Sequence, residues 1–118
     1  MMKESQIKLY VTVDEKKLPV KIEWEADDAG FHGKKESSTL MLSLWDKKEK
    51  MTYSIDLWTK DMIVEDMQIH FHQMLLKMAD TFNRSTNNSE IVNMIRKFSQ
   101  DFASKIGIKN IPDENLNH

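Results

Sequence analysis

The first part of the chain alternates apolar and polar residues with a period of two. Within residues 6–13, one face would carry Ile7, Leu9, Val11 and Val13, and the other Lys8, Tyr10 and Thr12. This alternation, rich in β-branched residues, is typical of a half-buried strand. A second alternating segment starts at Pro19, where the missing N–H is tolerated, and continues to Glu25. The two segments predict two strands.

Residues 39–45 and 51–58 also alternate, and the charged sequence between them predicts a β-hairpin. A four-residue loop sets the register, because a slip of one residue would exchange the two faces of a strand. One face then holds Leu40, Leu42, Leu44, Tyr53, Ile55 and Leu57, and the other holds Met41, Ser43, Trp45, Ser54, Asp56 and Trp58. Residues 27–36 show no period and contain two of the three glycines, so they predict a loop.

Beyond residue 61 the apolar period changes to about 3.6 residues, which predicts two helices. The first apolar stripe comprises Val64, Met67, Phe71, Met74, Leu75, Met78 and Phe82, and the second comprises Ile91, Ile95, Phe98, Phe102 and Ile106. Asp61 is the predicted cap of the first helix. Asn87 and Glu90 predict a capping box for the second helix, and Gly107 predicts its end.

The predicted order is therefore ββββαα, an α+β fold. We expect a four-stranded antiparallel β-meander with two α-helices packed on one sheet face, a two-layer sandwich whose other face is open. Residues 1–108 are assigned to a single domain. The polar residues 109–118 include Pro112 and are expected to form a frayed tail.

Composition narrows the function classes. The 118 residues carry a formal net charge of −2, which lacks the basic excess of a typical nucleic-acid-binding domain. The absence of cysteine excludes disulfides and thiolate metal sites. No apolar run has the length of a signal peptide or a membrane span, so we expect a cytoplasmic protein.

Three segments of the sequence resemble the gliding motility-associated protein GldC family of Bacteroidetes. They are residues 24–28 (WEADD), 41–62 (MLSLWDKKEKMTYSIDLWTKDM) and 71–82 (FHQMLLKMADTF). The likeness extends over roughly residues 4–108. It implies a cytoplasmic accessory protein of the gliding machinery, in a family without assigned catalytic residues. The resemblance therefore indicates a process and no reaction.

Residue types suited to catalysis or metal binding are present, but their spacing is unfavourable. His70 and His72 are two apart on a predicted helix and would point about 200° from each other, so they cannot chelate one ion. Asp27 and Asp28 could hold a hard cation such as calcium, but the spacing matches no EF-hand loop, and a solvated acidic patch is the preferred interpretation. We predict no enzymatic activity, no cofactor and no metal.

Candidate partner-binding residues form three groups. They are Tyr10, Met41, Trp45 and Trp58 on the open sheet face, Asp27, Asp28 and Phe31 in the loop, and Ile69 and Leu76 opposite the first helix's apolar stripe. Tryptophan and tyrosine are enriched in binding hot spots, which favours a docking surface. The structural alternatives are that some of the aromatic residues lie at strand ends or are covered by the loop, and that Ile69 and Leu76 pack on the second helix or are ordinary surface residues.

These features predict a non-enzymatic cytoplasmic adaptor that binds proteins of the gliding machinery, with self-association through the first helix as a further expectation. The alternative is a single-stranded nucleic-acid-binding module. A curved sheet followed by a helix, with aromatic residues on the open face, is similar to PUR-type and Whirly-type repeats, and bases could stack there. The negative net charge disfavours this alternative.

Overall fold

The computed structural model describes residues 2–108, which divide into two compact units, one ending at Met62 and the next beginning at Ile63. The alternating segments of the first unit form five strands. They are β1 (Ile7–Val13), β2 (Pro19–Ala26), β3 (Lys35–Ser37), β4 (Thr39–Trp45) and β5 (Thr52–Trp58). The second unit consists of two helices, α1 (Val64–Thr86) and α2 (Ser89–Ile106).

The first three strands form an antiparallel sheet in the order β1-β2-β3. Val11 lies opposite Ile22, and Ile22 lies opposite Ser37 on the other side. As a residue of the central strand, Ile22 has a neighbour on both sides, and it is only 1% exposed. A register shift between Thr12 and Val13 marks the end of regular pairing in β1.

The other two strands form the hairpin that the sequence predicts, and its register is confirmed. Leu40 pairs with Leu57 and Leu42 with Ile55. Asp46 donates its backbone N–H to the Met51 carbonyl at 2.8 Å, which leaves a four-residue loop. The Asp46 carboxylate accepts the Glu49 N–H at 2.6 Å and so stabilises the turn.

The prediction of a single four-stranded meander is wrong in two respects, because residues 2–108 form five strands and these strands form two sheets. The predicted loop ends in β3, whose sequence Lys-Glu-Ser lacks the apolar alternation that would predict a strand. Ser38 interrupts the strand, since the residues before it pair with β2 and those after it pair with β5. Its carbonyl accepts the Thr59 N–H at 2.9 Å.

Both helices are present, but their capping residues differ from the prediction. Asp61 does not cap α1; the N-cap is Ile63, which provides no side-chain hydrogen bond, and Asp61 accepts the Thr59 hydroxyl instead. The cap of α2 is Asn88 rather than Asn87, and its side chain accepts the Ile91 N–H at 3.3 Å. Asn87 ends α1 in a left-handed conformation (φ 53°), as Gly107 (φ 80°) ends α2 in agreement with the prediction.

The fully buried side chains of the helices are not those of the predicted stripes. They are His72 and Ala79 on α1 and Val92, Ser99 and Ala103 on α2. Small residues let two helices approach closely, and Arg96 of α2 bonds to Asp80 of α1 at 3.1 Å. Three stripe residues of α1 are exposed, namely Val64, Phe71 and Met78. The apolar period locates the stripe, but it does not determine which face is covered.

Of the two helices within residues 2–108, neither has the long apolar window that a bilayer crossing requires. Packing of the helices on one sheet face, and a single domain over residues 1–108, stay predictions. The expected frayed tail, residues 109–118, lies outside the described residues.

Candidate protein-binding surfaces

Two tryptophans lie on the same face of the β4–β5 hairpin, at opposite ends. Trp45 ends β4 opposite Thr52, and Trp58 ends β5 opposite Thr39. The six-residue offset along an antiparallel ladder separates them by about 20 Å. Trp45 is 66% exposed and Trp58 is 56% exposed. We call this surface, with Met41 and Asp56 between the two indoles, the tryptophan face.

The middle of the tryptophan face carries one methionine, one aspartate and two serines. Met41 lies opposite Asp56, and Ser43 lies opposite Ser54. Met41 is half-buried, whereas Asp56 and both serines are exposed. Such a surface could receive a partner's apolar groups at the two exposed indoles and a hydrogen-bond donor at Asp56.

A second surface surrounds the loop between β2 and β3. Phe31 packs edge-to-face on Trp24, with ring centroids 5.1 Å apart and an interplanar angle of 88°. The Lys35 ammonium lies 5.0 Å from the Phe31 ring centroid, and that of Lys34 lies 4.0 Å from the Tyr10 ring centroid. These cation–π contacts hold the loop's lysines on aromatic rings.

Tyr10 takes part in the loop surface through its hydroxyl group as well. The hydroxyl donates to Glu25 Oε1 at 2.7 Å, and this hydrogen bond, together with burial, raises the pKa of Tyr10 above its usual value. A phenol that already donates to a carboxylate is held in its protonated form. The ring itself is half-buried.

The two predicted acidic loop residues bind the N-terminal segment. Asp27 Oδ2 accepts the Gln6 N–H at 2.9 Å, and Asp28 Oδ2 accepts the Ser5 hydroxyl at 2.8 Å. Beside them is an open cleft of about 230 Å³, with Lys8 and His32 among its lining residues. Its mixed charge selects neither an anion nor a cation.

The two candidate residues on α1, Ile69 and Leu76, differ in exposure. Ile69 is 42% exposed, whereas Leu76 is half-buried. His72, which lies between them on α1, is 2% exposed, and burial lowers its pKa because the charged imidazolium is poorly solvated there. Of the two candidate residues on α1, only Ile69 is therefore exposed at the surface, and Leu76 adds little apolar area beside it.

The predicted site residues thus occupy different parts of the molecule. Tyr10 belongs to the β1–β2–β3 sheet, the tryptophans belong to the hairpin, and Ile69 belongs to the helical unit. Sequence reasoning missed the roles of Lys34 and Lys35. Their position after an aromatic, glycine-containing loop was the only available signal, and it does not reveal which ring each lysine reaches.

These observations define a small α+β protein in which antiparallel strands that display tryptophans precede a pair of packed helices. The chain belongs to the GldC-like family, because the family model described as gliding motility-associated protein GldC-like matches residues 19–108. The resemblance inferred from the sequence is therefore confirmed. No curated protein and no solved structure matches the chain.

Proposed function

We propose that this chain is a non-enzymatic, cytoplasmic accessory protein of bacterial gliding motility that acts by binding another protein of the gliding machinery. Its family supports the process. The observation that supports the binding role is the pair of tryptophans, each more than half exposed, on one face of the β4–β5 hairpin. The tryptophan face is the proposed contact surface.

Large exposed indoles are effective anchors because they bury much apolar area with few rotatable bonds. The exposed parts of Trp45 and Trp58 together amount to on the order of 250 Å². A standard interface buries about 800 Å² on each partner, so the two side chains could supply about a third of it. Between them, the small side chains of Ser43 and Ser54 would allow the partner to approach the backbone closely.

The test replaces both anchors, as Trp45→Ala with Trp58→Ala. The matched control is Leu44→Ala with Ile55→Ala, since these side chains are 57% and 52% exposed on the opposite face of the same two strands. Each variant is expressed in a gliding bacterium that lacks the native gene. Colony spreading and quantitative co-purification of gliding proteins are then measured.

We expect the tryptophan variant to lose partner capture and to restore spreading poorly, while the control behaves like the unmodified protein. Circular dichroism of both purified variants establishes that the fold is retained. Equal capture by both variants would rule out the tryptophan face. Titration with a labelled single-stranded oligonucleotide at low salt tests the nucleic-acid alternative with the same proteins.

A further inference from the structure

Strand β1 has one backbone edge without a strand partner in the part of the chain that the structure describes. It pairs with β2 alone within residues 2–108, at the end of the β1-β2-β3 order. Asp27 donates its N–H to the Gln6 carbonyl at 3.1 Å, so the backbone groups of Gln6 point towards β2. In an antiparallel ladder this direction alternates. The backbone groups of Lys8 and Tyr10 therefore point towards β2 as well, and those of Ile7, Leu9 and Val11 point away from the sheet.

The residues with outward backbone groups also have exposed apolar side chains. Ile7 is 75% exposed, and Leu9 and Val11 are each 38% exposed. Natural edge strands are usually protected by charged side chains, by proline, by inward-pointing charge or by a bulge. Residues 7–12 contain no proline and a single charged residue, Lys8, and the only irregularity of β1 follows Thr12. This edge is therefore a template for another strand.

We infer that β1 pairs antiparallel with β1 of a second copy, centred on Leu9. The two three-stranded sheets then become one six-stranded sheet. In this register Leu9 lies opposite Leu9 of the second copy, and Ile7 lies opposite Val11, so the apolar faces coincide. Every hydrogen-bonded pair in the new ladder is formed by residues whose N–H and C=O groups already point outward. The contact ends before the irregularity at Thr12.

Charge supports a second copy as the occupant. On the polar face the register places Lys8 opposite Tyr10 of the other copy, whose hydroxyl is bonded to Glu25. Since Lys34 already lies over the Tyr10 ring, the Lys8 ammonium would meet the hydroxyl and carboxylate side of this pair. No two like charges face each other across the new ladder, a situation that would otherwise destabilise the pairing.

The apolar side-chain area available to this contact is small. The exposed parts of Ile7, Leu9 and Val11 amount to roughly 250–300 Å² per copy, well below the about 800 Å² per partner of a standard interface. We therefore expect a weak, reversible dimer. This surface is distinct from the tryptophan face, so each can fail without the other.

Cysteine cross-linking tests the register, because the native chain has no cysteine and a link between single introduced cysteines must join two copies. Hydrogen-bonded antiparallel partners have Cα atoms about 5.5 Å apart, but their Cβ atoms lie farther apart than a disulfide prefers, so a short bis-maleimide is the suitable linker. We expect this linker to join Leu9→Cys into a covalent dimer. The matched control is Thr12→Cys, whose two copies would lie about 20 Å apart in this register and should remain monomeric.

Val11→Pro tests the edge directly. It removes an N–H that points away from β2, so the β1–β2 hydrogen bonds are kept, whereas the edge loses a donor. In analytical ultracentrifugation at protein concentrations up to about 1 mM, we expect the native chain to self-associate. Val11→Pro should remain monomeric and have an unchanged circular dichroism spectrum. A native chain that stays monomeric throughout, with Leu9→Cys no better linked than Thr12→Cys, overturns the inference and leaves the edge to another protein's strand. If Val11→Pro unfolds, the native chain's sedimentation and the cross-linking pair still decide.

Discussion

Replacing Ile22 by alanine should destabilise the β-sheet unit far more than the same replacement at Ile55. Both are isoleucines on strands of the same unit, but Ile22 is 1% exposed and Ile55 is 52% exposed. At about 0.8 kcal/mol per buried methylene, removal of three carbon atoms from Ile22 costs about 2.4 kcal/mol. The cavity that remains raises the expected loss to about 3–4 kcal/mol.

At Ile55 about half of the transfer term applies and solvent fills the vacated space, so the expected loss is about 1 kcal/mol. Urea denaturation of the native chain and both variants gives the loss in unfolding free energy for each, provided that the m-value is unchanged. Thermal unfolding should show the same order, with a fall in Tm of more than about 10 °C for Ile22→Ala. Losses that agree within about 0.5 kcal/mol would refute the argument that the central strand carries the burial of this unit.

Two further predictions concern the helices. Burial lowers the pKa of His72, so the unfolded chain binds a proton at this residue more readily than the folded chain, and stability should fall as the pH drops below about 6.5. The stability of His72→Leu relative to the native chain should therefore increase between pH 8 and pH 5.5. A constant difference between the two in urea denaturation would contradict this. Asn88→Ala removes the hydrogen bond to the Ile91 N–H and should lower the unfolding free energy by about 1 kcal/mol, whereas Asn88→Asp should retain most of the cap's stabilisation. Equal thermal stability of the two variants would show that the cap contributes little.

The candidate site could be predicted only in part. Alternation along β4 and β5 placed Trp45 and Trp58 on one face, since side chains in a strand point alternately to the two sides. The hydrogen bond between Tyr10 and Glu25 was not predictable in the same way. It depends on the pairing of β1 with β2 and on the conformations of both side chains, and neither can be obtained from the period of a single segment.

The sequence by itself determined four of the five strands within residues 2–108, the hairpin register and the two helices, because the periods of 2 and 3.6 residues follow from local backbone geometry. Only the tertiary structure decided that the chain bends at Ser38 and divides its strands between two sheets. It also decided that His72 and Ala79 are buried while Phe71 is exposed. Burial depends on which surfaces meet, and an apolar residue has the same place in a periodic pattern whether or not another element covers it.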